Sequence, residues 1–476
     1  MPKNILIFSD GTGQAGGLRP DQRLSNIYKL YRATRNGPDS PIDPHKQIAF
    51  YDAGLGTAND EGSVPIRAVR YLRKFLSTGV GFGISRNIAD CYEAILKHYE
   101  PGDRIFLFGF SRGAYTVRCV AGVLRHCGVP TRAPGTDHCP RFGRALRAIA
   151  DEAVRSVYEH GAGRSRERFE PERREKAARF RAKYGSDADG QSNVAPYFIG
   201  VFDTVAALGA KGAKRVLMNA LILAVLLGTT AAFAKATDLY LQTGFWPPFV
   251  AYFAIAAAAT VLPLLAGSFK LIRDYPKKGR FRFHFAGWRS GFYDQNLDER
   301  VRYARHALAI DELRADFPRV PWASTGSIVK REGEPEWLRQ VWFAGCHSDI
   351  GGSYPEDESR LSDVALEWMV EQATEIPHPV IVDRSKLRTF PSAAGMQHCE
   401  IQAMRDLRPW FVPKLLWFEW KRKARVEARG APLHESVLLR FEQRHVDHCG
   451  ARHSYRPEAL RTDERVAQYY TAEAGE

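Results

Sequence analysis

Residues Arg104-Ile-Phe-Leu-Phe-Gly-Phe-Ser-Arg-Gly-Ala-Tyr-Thr-Val-Arg118 carry an apolar strand, Ile105 to Phe108, into Gly109-Phe110-Ser111-Arg112-Gly113 and on into a helix-forming run from Ala114 to Val123. A continuous apolar run of that length reads as a buried parallel strand. A serine on the sharp turn between such a strand and such a helix is a nucleophile elbow. Both flanking glycines are needed there, because a Cβ would collide with the neighbouring strand or helix. Ser111 is therefore the candidate nucleophile. The five-residue pattern is weak alone, since Gly and Ser are common; the flanks separate it from an ordinary glycine-rich turn.

A serine hydroxyl is a poor nucleophile at neutral pH and needs a base, which in turn needs an orienting group. In this type of fold they follow in the order Ser, acid, His. Pro196-Tyr-Phe-Ile-Gly-Val-Phe-Asp-Thr-Val205 ends an apolar strand on Asp203, and Val341-Trp-Phe-Ala-Gly-Cys-His-Ser-Asp-Ile-Gly-Gly352 ends another on His347 and a glycine-rich loop. Open parallel sheets gather their active groups at the carboxyl ends of strands, so the placement says more than the residue types. The plainer readings are a backbone-bonded loop histidine for His347 and a helix N-cap for Asp203. Asp349 is a reserve acid, disfavoured because a residue two positions from His347 reaches that imidazole only through a sharp turn. His434, in Leu433-His-Glu-Ser-Val437, is an alternative base.

An oxyanion is held by backbone N–H groups, one normally from the residue after the nucleophile, here Arg112. Asn4-Ile-Leu-Ile-Phe-Ser-Asp-Gly-Thr-Gly13 is a buried first strand opening into a small-residue loop, so Asp10, Gly11 and Thr12 are candidates for the second donor. Asp10 as a metal ligand or phosphatase nucleophile lacks the second aspartate usual in such a motif. Gly79-Val-Gly-Phe-Gly83 is superficially like a dinucleotide fingerprint, but no strand clearly precedes it and the glycine spacing is wrong.

Asp10-Gly11-Thr12, Tyr51-Asp-Ala-Gly-Leu-Gly-Thr57, Gly79 to Asn87, Gly102 through Arg118, Phe202-Asp-Thr-Val205, Ala304-Arg-His-Ala-Leu-Ala-Ile-Asp-Glu312 and Phe343 to Tyr354 together resemble the successive motifs of the α/β-hydrolase domain found in type VI secretion phospholipase effectors. The likeness runs from residue 3 to about residue 370. It implies a serine hydrolase acting on carboxylic esters of lipids, with Ser111, Asp203 and His347 at the positions of the family's catalytic motifs. It does not imply export.

Between Asp203 and the Ala304 block, residues 216–234 and 249–269 contain no charge. At 1.5 Å per residue each reaches roughly 30 Å, the thickness of a bilayer's hydrocarbon core. They are expected to form a transmembrane hairpin, with Trp246 and Pro247-Pro248 at an interface and Pro263 as a kink. The alternative is a buried or lipid-dipping helical cap. Lys211, Lys214 and Arg215 before the first span, and Lys270, Arg273, Lys277, Lys278 and Arg280 after the second, put both flanks on the cytoplasmic side. The expectation is a bacterial inner (cytoplasmic) membrane protein whose catalytic domain faces the cytoplasm.

The chain has 476 residues, a formal net charge of +14 and 26% charged residues, which fits a large water-folded body better than a polytopic carrier. No signal peptide is expected before the first strand. The seven cysteines are scattered without a C-x-x-C pair, so reduced thiols are expected. His138-Cys139, His398-Cys399 and His448-Cys449 with His453 lack finger spacing, and no metal or cofactor is expected. Residues 164–183 mix both charge signs at helical spacing and read as a solvated helical insertion. Arg408 to Arg429 joins Trp410, Phe411, Trp417, Phe418 and Trp420 to Lys421, Arg422, Lys423 and Arg425, a pattern suited to an amphipathic segment on anionic lipid, with core packing as the alternative. No nucleic-acid-binding signature accompanies the charge.

Strands are expected near 4–8, 47–51, 104–108, 196–202 and 340–345, and helices near 24–34, 84–98, 113–126, 298–315 and 361–374. The fold class is α/β, an α/β-hydrolase-like, mostly parallel sheet with helices on both faces, plus the two-helix transmembrane insertion. The divisions are a hydrolase core over 1–210 with the charged insertion at about 133–193, the hairpin at 211–280, the core resumed at 281–375, and a basic, aromatic region at 376–476. The expected partners are a lipid ester and the membrane itself, through two spans. The competing reading is a membrane-tethered binding or scaffold protein without turnover. A secreted lipase conflicts with the missing leader and the hairpin.

Overall fold

The computed structural model describes residues 2–14, 16–17, 23–54, 83–162, 166–205, 213–285, 296–322, 333–408, 410, 419–448 and 450–471. Six strands make one parallel sheet: β1 (Asn4–Ser9), β2 (Gln47–Asp52), β3 (Arg104–Phe110), β4 (Phe198–Phe202), β5 (Tyr303–Ala309) and β6 (Leu338–Phe343), in the order β6-β5-β4-β3-β1-β2. Register is set by the apolar runs, with Ile7 opposite both Phe50 and Leu107, and Phe108 opposite Gly200.

Both faces of the sheet are covered, so the central strands are largely apolar and alternate residues feed two different cores. Ile5, Ile7, Ile105, Leu107, Ile199 and Val201 pack with α2 (Ile84–His98) and α3 (Arg112–Cys127). Leu6, Phe8, Phe106, Phe108, Phe198 and Phe202 pack with α1 (Asn26–Thr34) and with the helix Arg360–Thr374. The chain therefore leaves β1 toward one face and β3 toward the other. The crevice outside their carboxyl ends is the switch point where such sheets bind ligands.

The helix expected over 298–315 is instead β5. Tyr-Ala-Arg-His-Ala-Leu-Ala has helix-forming alanines, but all seven residues are buried between β4 and β6. Tertiary pairing outweighs a local preference worth only tenths of a kcal/mol per residue. The charged insertion also departs from a solvated helix. In α4 (Arg166–Tyr184), Ala177, Phe180 and Tyr184 are buried in the same core as α3. Residues beyond 375 build a third core, in which Val437, Phe441, Tyr455 and Leu460 cover Leu308, Ile310 and Trp342.

The transmembrane hairpin is corrected. Helices α5 (Ala213–Leu241) and α6 (Trp246–Ser268) do pair, with Thr237 Oγ1 2.9 Å from the Tyr252 hydroxyl. Among the described residues, however, no helix is long and apolar enough to cross a membrane. The described part of α5 takes in Lys235 and Asp238, 3.6 Å apart, together with Thr229, Thr230 and Thr237. The described side chains of α6, 246–259, fall short of the roughly 20 apolar residues a crossing needs; those of 216–219, 221–222 and 260–268 lie outside the description. The two-span membrane partner and the orientation drawn from the basic flanks rested on this hairpin. After α6 the chain returns through an antiparallel ribbon, Phe269–Arg273 with Phe281–Phe285.

A helical glycine is ordinarily improved by alanine, by up to about 1 kcal/mol. Gly113 reverses that sign, because a Cβ on it would lie 2.0 Å from the Ser9 carbonyl oxygen of β1. Gly113→Ala is expected to lower stability by at least about 2 kcal/mol in urea unfolding, since neither backbone can yield cheaply.

Candidate active site

The elbow is set by close approach. A Cβ on Gly109 would sit 2.6 Å from the backbone of Ala114, and one on Gly113 would strike β1, so helix α3 can leave strand β3 this sharply only with glycine at both positions. Between them Ser111 takes φ 57°, ψ −119°, a conformation rare for a residue with a side chain, and its backbone N–H donates to the Phe202 carbonyl at 3.2 Å. It is 9% exposed.

Asp203 follows β4 with φ 33° and is fully buried. Its carboxylate is saturated. Oδ1 accepts from the Ala309 N–H at 3.2 Å and Arg425 Nη1 at 2.5 Å; Oδ2 accepts from Arg425 Nη2 at 3.2 Å and lies 2.6 Å from His347 Nδ1. Burial raises a carboxyl pKa, but the Arg425 charge and the His347 bond outweigh it here and hold Asp203 well below the usual carboxylate range. The charged form is the resident one.

His347 opens a five-residue helix after β6. Its ring lies between Phe110 and Phe317, with centroids 4.7 and 5.5 Å away. With Nδ1 bonded to Asp203, the other nitrogen, Nε2, is buried and has no hydrogen-bond partner among the described residues. A buried polar atom without a partner is exceptional and marks a place where a proton or ligand is expected. Gly351 lets Phe110 press against this turn, since a Cβ there would fall 2.0 Å from the Phe110 ring.

The reserve residues are engaged elsewhere. Asp349 Oδ2 accepts from the Cys346 N–H at 3.0 Å, capping the short helix, while Oδ1 lies 2.8 Å from His398 Nδ1. His434 N-caps the helix Glu435–Glu442 and stacks on Phe343 at 4.6 Å. In the loop after β1, the Gly11 N–H is committed to Asp10 Oδ1 at 2.7 Å. Thr12 Oγ1 is buried without a partner among the described residues, and the Arg112 N–H lies at the first turn of α3, where helix donors have no internal acceptor. Asp10 locks this loop by also accepting from Ser25 Oγ at 2.5 Å and the Tyr51 hydroxyl at 2.7 Å. Burial pushes its pKa up to about 6, those hydrogen bonds opposing the rise.

Arg425 is the site residue that sequence reasoning misassigned. It stood in a basic, aromatic run read as lipid-facing, yet it is 6% exposed and also donates to the carbonyls of Ala309 and Phe317, each at 3.1 Å. Of the rest of that run, 409 and 411–418 lie outside the described residues, as do 79–82 of the dinucleotide-like stretch. Nothing local distinguishes Arg425 from Arg422 or Lys423 in the sequence. Its signal is the need of a buried carboxylate for a counter-charge.

Fold and crevice together define a mixed α/β protein with a strained serine and a buried Asp–His pair at the carboxyl ends of a parallel sheet. The model of the family "T6SS, Phospholipase effector Tle1-like, catalytic domain" matches residues 3–242 and 265–372, and the chain belongs to that family. It is 35% identical over 130 residues to "Uncharacterized protein YEL023C" of Saccharomyces cerevisiae, a match covering 27% of this chain and 18% of that protein. Among solved structures, it is similar to an uncharacterized protein from Pseudomonas aeruginosa (TM-score 0.35, 16% identity, 82% of this chain and 48% of the other). It is also similar to the Tle1 effector bound to the VgrG spike from the type 6 secretion system (TM-score 0.31, 15% identity, 76% and 53%). The chain thus spans under a fifth of the yeast protein and about half of each solved one.

Removing Arg425 leaves a buried charge unpaired. Arg425→Ala is expected to cost about 3–5 kcal/mol near neutral pH, and much less in an Asp203→Asn background. Because Asp203 has a depressed folded pKa, its stabilisation is present above the unfolded value of about 3.9 and is lost as pH falls through the folded one. Urea titrations of the double-mutant cycle across pH 3 to 7 should show the Arg425→Ala deficit shrinking in acid.

Proposed function

We infer that this chain is a serine hydrolase of the α/β-hydrolase type, cleaving carboxylic esters of lipids through an acyl-enzyme. The observation that carries the reading is the 2.6 Å bond from His347 Nδ1 to Asp203, which leaves His347 Nε2 without a partner among the described residues, on a ring packed 4.7 Å from that of Phe110, the residue before Ser111. In this mechanism Nε2 takes the Ser111 proton as the hydroxyl attacks the ester carbonyl. Asp203 holds the imidazole in the tautomer with its proton on Nδ1 and stabilises the imidazolium that forms. Arg425 keeps that acid ionised. The Arg112 N–H and the Thr12 hydroxyl are the donors for the oxyanion. His347 returns the proton to the leaving alcohol, and water then releases the acyl group by the reverse sequence.

Membership in a phospholipase effector family supports a lipid ester as substrate. Arg112 supports a phosphate-bearing one. No hydrogen bond or ion pair holds its guanidinium among the described residues, and burial alone pushes its pKa down to about 10. An uncompensated, partly desolvated positive charge beside the nucleophile suits an anionic headgroup.

The test is labelling with a fluorophosphonate probe alongside hydrolysis of phospholipid and of a neutral short-chain ester. Wild type should label and turn over, Ser111→Ala should do neither, and Asp203→Asn should lose on the order of 10⁴ in kcat. Arg112→Gln should lose more on the phospholipid than on the neutral ester. A wild-type chain that neither labels nor hydrolyses either ester removes this reading and leaves a fold without turnover.

A further inference from the structure

Outside the Asp203–His347–Arg425 network, three side chains from separate parts of the chain meet. His160 follows the π-helical segment Glu152–Tyr158, Glu172 lies in α4, and His284 lies in the ribbon that returns from the α5–α6 hairpin. One ring nitrogen from each histidine and one carboxylate oxygen lie within 4.8 Å of one another. His160 and Glu172 are buried and His284 is half-buried. We propose that His160, Glu172 and His284 form a site for a zinc-type divalent transition ion, which clips the ribbon to α4.

Two imidazoles and a carboxylate are a ligand set that zinc takes, with a fourth position left for water. The cluster has the marks of a ligand set rather than a self-contained hydrogen-bond network. His160 Nε2 lies 2.8 Å from Glu172 Oε2, while the Nδ1 atoms of both histidines are buried and without partners among the described residues. Replacing the proton between His160 and Glu172 by a metal ion requires only that this proton move to the vacant Nδ1, so the ring stays neutral. Metal–ligand bonds of about 2.0–2.2 Å in a tetrahedron put neighbouring ligand atoms roughly 3.3 Å apart, so the His160–Glu172 pair opens by about half an ångström. The Gly161 N–H now donates to His284 Nε2 at 3.1 Å, and an ion on that nitrogen would displace this bond.

The rings are oriented in advance. His284 is stacked on Phe169 at 3.9 Å, and the two imidazoles meet edge to face at 4.7 Å. The Lys176 and Lys270 ammonium groups act on both rings. The same cations oppose a dication. Arg282 approaches the other carboxylate oxygen, Glu172 Oε1, at 3.4 Å, and the Lys176 ammonium donates to the Ser156 carbonyl, away from the cluster. Oε2 remains for the ion.

The experiment uses the full chain, stripped with chelator and titrated with Zn²⁺ by calorimetry, and with Co²⁺ by visible absorption. Wild type should take up about one ion per chain and gain thermal stability, and Co²⁺ should give the intense bands of a four-coordinate site. Glu172→Gln, which can still hydrogen-bond His160, and His284→Asn should each weaken binding at least about tenfold, while Ser111→Ala binds as wild type. Far-UV circular dichroism of the two ligand variants establishes that they are folded. Uptake by wild type no greater than by folded Glu172→Gln, or no uptake at all, overturns the proposal.

Discussion

The carboxylate of Asp203 is ionised in a fully buried position, and the molecule is arranged around that fact. A charge withdrawn from water is tolerated only when paired and hydrogen-bonded on every side. Here four bonds do so: one from the backbone of β5, two from Arg425 and one from His347. Strands β4 and β5, the turn after β6 and the C-terminal layer are thereby tied at a single point. This explains why the third core, around Val437 and Phe441, belongs to the same folding problem as the sheet. Residues beyond 375 close the electrostatic shell of an acid carried by a central strand.

A second constraint is steric and acts on the neighbouring strands. Gly113 allows α3 to lie against the end of β1, Gly109 allows the chain to turn, and Gly54 lets the loop after β2 touch Gly11, where a Cβ would overlap the carbonyl oxygen at 1.5 Å. Three loop ends are thus held close by missing side chains, and Asp10 fastens them through Ser25 and Tyr51. Rigid support of this kind is what lets Ser111 persist with a positive φ, since strain survives only where the surroundings over-determine it.

What could be read in the sequence, and what could not, divides along the range of the forces involved. The elbow, the first three strands and helices α1 to α3 were legible because short-range sterics and apolar periodicity specify them within a dozen residues. Strand β5 was not, because Ala304 to Ala309 becomes a strand only through pairing on both sides. Arg425 was hidden for the converse reason: as a lone residue it looks like its solvated neighbours, and only its distant partner makes it a buried ion. In α5, the uncharged run that suggested a bilayer crossing gives way, still within the helix, to Lys235 and Asp238. The His160, Glu172 and His284 cluster has no spacing to recognise, since its members come together only when the ribbon folds back on α4.

The distance in sequence between Asp203 and Arg425 also has a temporal meaning. During synthesis β3, β4 and most of the sheet emerge well before the arginine does, so the nascent body has to carry the aspartate protonated or wet until residue 425 leaves the ribosome. An interrupted translation product would hold the serine turn and the histidine yet lack the cation that keeps Asp203 charged. The order of residues along the chain thus leaves Asp203 without its counter-charge in any copy that stops before residue 425.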